Sequence, residues 1–161
     1  MVTLTETDRK LGELAAHLDR AVAEVFQTML GVACEPSNER QETVGGTISA
    51  VIGLAGALSG SLVLKSGEAA ARQMAARMTG VEPDEVDAMV RDAVGEIANM
   101  LAGAWKGFDP KLSCGCLLST PTVVSGTSYQ LFSQRAPMQM ERTYRFEESR
   151  LTVAFFAEWP G

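Results

Sequence analysis

Apolar residues recur along the chain at two spacings, and the switches between them divide it into elements. Across residues 7–29, Leu11, Leu14, Leu18, Val22, Val25, Phe26 and Met29 fall at helical intervals, which gathers them on one side of a helix. Thr7 or Asp8 can cap its start, and Gly31 can end it. Residues 34–43 are polar and irregular and read as a connection. A run rich in β-branched residues follows at 47–54, then Gly56-Ala57-Leu58-Ser59-Gly60, then a second apolar run at 60–65. Two such runs about a glycine-bearing turn predict a hairpin. Ser66 is placed to cap a helix over 67–78, with Ala69, Met74, Ala75 and Met78 as its apolar side and Gly80 as its end. Val81-Glu82-Pro83 then breaks the chain before a longer helix predicted over 84–106.

After Gly107-Phe108-Asp109-Pro110 the spacing becomes that of strands. The runs fall at 113–118, 122–125, 128–133, 138–146 and 151–158, with turn residues such as Ser125-Gly126, Ala136-Pro137 and Glu147-Glu148 between several of them. In the fourth run, Gln139, Glu141, Thr143 and Arg145 alternate with Met138, Met140, Tyr144 and Phe146. That alternation predicts one wet face and one mostly buried face, with Arg142 the exception on the apolar side. Grouped helices and neighbouring strands predict an α+β class, with a largely antiparallel β-sheet and helices packed on one face. The chain has 161 residues and shows no repeat or low-complexity tract, so a single domain over 1–161 is expected.

Composition narrows the function. The net charge is −6, and Lys and Arg form no cluster. Nucleic acid needs a basic footprint that is missing here, and there is no polybasic membrane patch. No apolar stretch reaches the roughly 18 residues of a membrane span. The first residues lack the basic-then-apolar order of a secretory signal. A soluble, cytoplasmic protein is expected. Cys34, Cys114 and Cys116 make an odd count without framework spacing, which suggests reduced thiols. Two apart on a strand, Cys114 and Cys116 would share a face as small buried residues. His17 is the single histidine and lies far from both, so no metal site is expected. It falls beside the apolar stripe of its helix and reads as solvated.

The chemistry concentrates on the helix at 84–106. At about 100° per residue, Val86, Met89, Val90, Ala93, Ile97, Leu101 and Ala104 cover one broad side. Asp92, Glu96, Asn99 and Gly103 form a separate narrow ridge. Most helices carry an ordinary solvated face, but three features set this one apart. Asn99 is a mediocre helix former, because its side chain competes for backbone hydrogen bonds. Gly95 and Gly103 each cost about 1 kcal/mol relative to alanine. The ridge holds no lysine or arginine. Local choices that oppose helix stability are expected at functional sites, and small residues on an exposed ridge admit another protein's backbone. A carboxamide both donates and accepts hydrogen bonds. It can therefore hold a water for in-line attack on a phosphoryl group, where catalysis is mainly positioning. Glu96, almost a turn away, can bind a cation of a partner. No serine–histidine pair is evident, and Gly53-Leu54-Ala55-Gly56 lacks the lysine of a nucleotide P-loop.

The pattern Asp92-x3-Glu96-x2-Asn99, followed by Met100-Leu101-Ala102-Gly103, resembles the signature of the CheX/CheC/FliY group of chemotaxis phosphatases. Pro121-Thr122-Val123-Val124-Ser125-Gly126 is similar to the segment that follows the signature helix, and Leu58-Ser59-Gly60-Ser61-Leu62-Val63-Leu64 is similar to the family's hairpin. CheC-like and FliY-like members generally carry two copies of the signature. The one copy here resembles CheX. The resemblance implies a protein-aspartyl-phosphate phosphatase acting on a phosphorylated CheY-like response regulator. Asn99 would orient the water and Glu96 would pair with a lysine of the partner. Asp92 would support the ridge or contact the partner, and Gly103, small on the exposed ridge, is the partner-binding position for close approach. No cofactor would be bound by this chain, the Mg2+ being held by the response regulator. A homodimer formed through the sheets is also implied. A non-catalytic adaptor that docks a response regulator on the same ridge is the alternative, and a scaffold acting through its sheet edge a third reading.

Overall fold

The computed structural model describes residues 3–39, 45–127 and 138–159. Helix α1 (Glu6–Val25) opens on a reciprocal cap. The Thr5 hydroxyl accepts from the Asp8 N–H at 3.1 Å, and the Asp8 carboxylate accepts from the Thr5 N–H at 3.0 Å. The cap at Thr5 thus falls two or three residues before the predicted Thr7 or Asp8. The helix continues as one π-helical turn, Phe26–Leu30, closed by Gly31 in the left-handed region at φ 70. The wider turn changes the phase of the apolar stripe. Phe26 and Leu30 are buried, and Met29, predicted within the stripe, is exposed.

The strands are β1 (Glu35–Pro36), β2 (Thr47–Gly56), β3 (Ser59–Gly67), β4 (Cys116–Leu118), β5 (Thr122–Gly126), β6 (Met138–Phe146) and β7 (Ser149–Glu158). They form one sheet in the order β1-β6-β7-β3-β2-β4, with β5 also paired to β2. The pairings among these described strands are antiparallel. The expected hairpin is β2–β3, in register from Thr47 opposite Gly67 to Leu54 opposite Gly60. Residues 35 and 36, read as connection, pair with β6. The strand expected at 128–133 lies outside the described residues.

Helices α2 (Glu68–Thr79), α3 (Ala88–Gly107) and α4 (Pro110–Gly115) complete the chain. Three expectations change here. Ser66 does not cap α2. It ends up inside β3 with a buried hydroxyl, and Gly67 takes the cap position without a side-chain bond. The long helix starts at Ala88 rather than 84, because the Asp87 side chain accepts the Val90 N–H at 3.0 Å and fixes the first turn there. Residues 113–115 are helical rather than extended. Asp109 accepts from the Lys111 N–H at 2.8 Å and the Leu112 N–H at 3.4 Å, and Pro110 fills the first helical turn. In consequence Cys114 and Cys116 do not share a buried face: Cys114 is exposed on α4 and Cys116 is buried at the start of β4.

The helices pack on one face of the sheet, as expected for the α+β class. Ile48, Ala50, Ile52 and Leu54 of β2 meet Val90, Val94, Ile97 and Leu101 of α3 in a single core. The Trp105 indole N–H donates to the Leu14 carbonyl at 3.2 Å, which joins α3 to α1. Arg142, the odd residue on the apolar side of β6, grips Asp19 of α1 through two bonds of 2.7 Å, and the Tyr144 hydroxyl donates to the same carboxylate at 2.6 Å. A cation is tolerated there because it is paired and bidentate. His17 is half-buried rather than solvated, with its ring 5.9 Å from that of Phe108.

Candidate functional site: the outer ridge of helix α3

Helix α3 buries Val90, Val94, Ile97, Ala98, Leu101 and Trp105 against the sheet and the other helices. This burial fixes its rotation and turns the predicted ridge outward. Asp92 and Glu96 are exposed, and Asn99 and Gly103 are half-buried. The sequence-predicted site residues therefore fall on one continuous strip. Glu96 and Asn99, three apart on a helix, have Cβ atoms about 5–6 Å from each other.

The polar groups of this strip are unspent. Among the described residues, the side chains of Asp92, Glu96 and Asn99 make no hydrogen bond or ion pair with the chain. Some carboxylates elsewhere are committed: Asp87 and Asp109 cap helices, Asp19 holds Arg142, and Glu147 receives Gln73 and Arg77. Asn99 keeps two donors and an acceptor available, and Glu96 keeps a full negative charge at the surface. Such a pair can engage a solvent molecule and a cation at the same time. Among the described residues, no cluster of three or more histidine, cysteine or acidic side chains could hold a metal.

The two glycines of the helix differ. A Cβ built on Gly103 would meet nothing within 4 Å, so no internal packing demands its small size. Gly95 is buried, beside the strip and not on it. A Cβ there would meet Val123 Cγ2 at 3.3 Å and Pro121 at 3.5 Å. The glycine lets the Pro121–Val123 stretch lie close on α3. The helix motif and the downstream Pro-Thr-Val-Val-Ser-Gly run, separate in sequence, are two sides of one contact.

That stretch follows an irregularity in the sheet edge. Leu54 pairs with Leu118, but Val51 pairs with Thr122, so one extra residue is inserted on the edge side. Ser119 anchors the insertion. Its N–H donates to the Gly53 carbonyl at 2.9 Å, and its hydroxyl accepts the Gly53 N–H at 2.7 Å. Sequence reasoning did not assign Ser119 to the site. Its available signal was the Ser119-Thr120-Pro121 interruption between two apolar runs. Below the ridge, the Lys106 ammonium donates to the Cys116 carbonyl at 2.7 Å and closes the last turn of α3 onto β4.

Comparison with known proteins bears on the same region. The family model described as chemotaxis phosphatase CheX matches residues 48–141, from β2 into β6. The CheY-P phosphatase CheX of Thermotoga maritima is 32% identical over 119 residues, covering 70% of this chain and 76% of that protein. The chemotaxis protein CheX from Vibrio vulnificus has a similar fold, with TM-score 0.78 and 24% identity over 92% of this chain and 98% of that one. So does a chain of the CheX-CheY-BeF3-Mg2+ complex from Borrelia burgdorferi, with TM-score 0.70 and 17% identity over 89% of this chain and 97% of that one.

Proposed function

The chain belongs to the CheX family of chemotaxis phosphatases, and on that premise we propose that it hydrolyses the phospho-aspartate of a CheY-like response regulator. One observation carries the reading: Glu96 and Asn99 stand a turn apart on an outward ridge, with their hydrogen-bonding capacity unspent among the described residues. The printed name of the Thermotoga relative, a CheY-P phosphatase, and the CheX-CheY complex among the similar structures support it.

The chemistry asks little of this chain. Asn99 accepts a hydrogen bond from a water and aligns its oxygen with phosphorus, opposite the aspartyl oxygen. The new P–O bond forms as the bond to the aspartyl carboxylate breaks, and inorganic phosphate and a free aspartate result. The water's proton leaves with the phosphate, and the amide does not act as a base. Positioning of this kind is the main contribution available in phosphoryl transfer. Glu96 pairs with a lysine of the partner's active site, which docks the ridge and orients it. Asp92 and Gly103 complete the contact, the glycine by admitting the partner's backbone. The Mg2+ belongs to the response regulator, and this chain binds no cofactor. The protein works as a cytoplasmic homodimer.

The test uses response regulators from the same genome, charged with acetyl phosphate. The purified chain should shorten the acyl-phosphate lifetime of a cognate regulator in proportion to its own concentration. Binding that leaves the lifetime unchanged would replace the phosphatase with an adaptor on the same ridge.

A further inference from the structure

We propose that the bulged segment between β4 and β5 is a positioning element for Asn99, with Ser119 and Gly95 as its positioning residues. The proposal rests on the phosphatase reading above and extends it to Gly95, at an unspecified position within the signature, and to Ser119 beyond it.

The segment is held from two sides. On the sheet, Ser119 hooks Gly53 through its N–H at 2.9 Å and its hydroxyl at 2.7 Å. A Cβ on Gly53 would lie 3.1 Å from that hydroxyl oxygen. On the helix, Pro121 and Val123 sit over Gly95, at 3.5 and 3.3 Å from where a Cβ would stand. Neither glycine has positive φ, so backbone conformation does not call for glycine at either position. Close approach of the segment does. Gly53 admits Ser119 on the sheet face turned away from α3, and Gly95 makes the notch on α3 that seats Pro121 and Val123.

Glycine inside a helix costs about 1 kcal/mol relative to alanine, and the segment it accommodates lies at the sheet edge, with Pro121 and Val123 half-buried and Ser119, Thr120 and Thr122 exposed. What the notch gains is a wall. Asn99 is one helical turn beyond Gly95 on the same flank. It is half-buried while Asp92 and Glu96 on the far side of the ridge are exposed. With no hydrogen bond of its own among the described residues, the carboxamide takes its orientation from the surfaces beside it. The seated segment sets that flank of the ridge and the distance at which a phosphoryl group and its water meet Asn99. A misplacement of about 1 Å at such a point can cost on the order of 100-fold in rate.

The experiment compares wild type, Gly95→Ala, Gly95→Ala with Val123→Ala, and Ser119→Ala in steady-state dephosphorylation, with thermal midpoints measured in parallel. Gly95→Ala is expected to lower kcat by about tenfold with KM within about twofold, because the partner still docks and only the reacting geometry moves. Its thermal midpoint should not fall, since helix propensity offsets the crowding. The double variant removes the methyl that the new Cβ crowds and should recover kcat above the single variant. Ser119→Ala, which removes the hydroxyl half of the hook on Gly53 and leaves the backbone half, should likewise lower kcat more than it raises KM. Wild-type kcat in Gly95→Ala overturns the proposal, as does a loss that tracks a fall in thermal midpoint and is not recovered in the double variant. If the wild-type chain itself does not shorten phosphate lifetime, the phosphatase reading fails and this one with it. If the wild type is active and Gly95→Ala is equally active, this proposal alone fails.

Discussion

Gly103 and Gly95 share a helix but carry their small size for different reasons, and single substitutions separate them. At Gly103 a methyl group enters open space. Gly103→Ala should therefore stabilise the protein by about 1 kcal/mol, the propensity difference alone. The same methyl should weaken binding of a beryllofluoride-activated regulator. Thermal melts and titration calorimetry read the two effects, and a stabilised variant with unchanged affinity would remove Gly103 from the interface. The thiols make a second contrast. Cys114 is exposed, whereas Cys34 and Cys116 are buried. Burial, helped by the neighbouring Glu35 carboxylate, pushes the Cys34 thiol up to about 12. In the unfolded chain it would titrate near its ordinary value of about 8.5. Between those values the unfolded state has lost a proton that the native state keeps, so the contribution of Cys34 to stability falls as pH rises from about 9 toward 12. Denaturant unfolding of wild type and Cys34→Ala across that range should show a steeper alkaline decline for the wild type, and parallel declines would contradict the assignment.

At the scale of elements, α3 is held in place by its start as well as by its buried side. Asp87→Ala removes the acceptor for the Val90 N–H and should cost about 1 kcal/mol in unfolding free energy. The ridge begins a full turn beyond the cap, so dephosphorylation should persist at temperatures where the variant is folded. Loss of activity without loss of stability would mean that Asp87 itself touches the partner. The same cap marks how far the sequence could be read. The apolar periods of α1, the β2–β3 hairpin, β6 and β7 were legible because each element has one buried face and a repeating pattern. The start of α3 was set too early because periodicity extends through Val86, while the cap that decides the boundary is one side-chain bond at Asp87. Residues 113–115 were read as extended although Asp109-Pro110 is a helix-start pair, since a six-residue helix shows too little periodicity to outweigh the strands that follow. The π turn and the bulge were not legible. Each inserts a residue into a regular ladder, and that insertion appears only once the partner strand or turn is in view. For the site, spacing exposed the Asp92–Gly103 strip, but it did not show why Gly95 is small, because a helical wheel does not reveal a neighbouring strand lying on one flank.

Across the whole molecule, the ridge stands on a layer fixed from both ends. The Arg142–Asp19–Tyr144 cluster ties α1 to β6, and the Trp105 bond to Leu14 ties α3 to α1. These buried and half-buried links hold α3 against the sheet, while Asp92, Glu96 and Asn99 on its outer side have no side-chain partner among the described residues, as the proposed docking surface requires. No helix among the described residues is long and apolar enough to cross a membrane. The central claim is that Asn99 acts on the reaction and not on the fold. Asn99→Ala removes a side chain with no hydrogen bond among the described residues and gains helix propensity, so the protein should stay folded and keep its affinity for a beryllofluoride-activated regulator. The most direct measurement is the lifetime of a cognate regulator's acyl phosphate under saturating amounts of wild type and of Asn99→Ala. The account predicts that the substitution lowers the accelerated rate by about 100-fold or more, with binding intact. An Asn99→Ala protein that shortens the lifetime as much as wild type would contradict it.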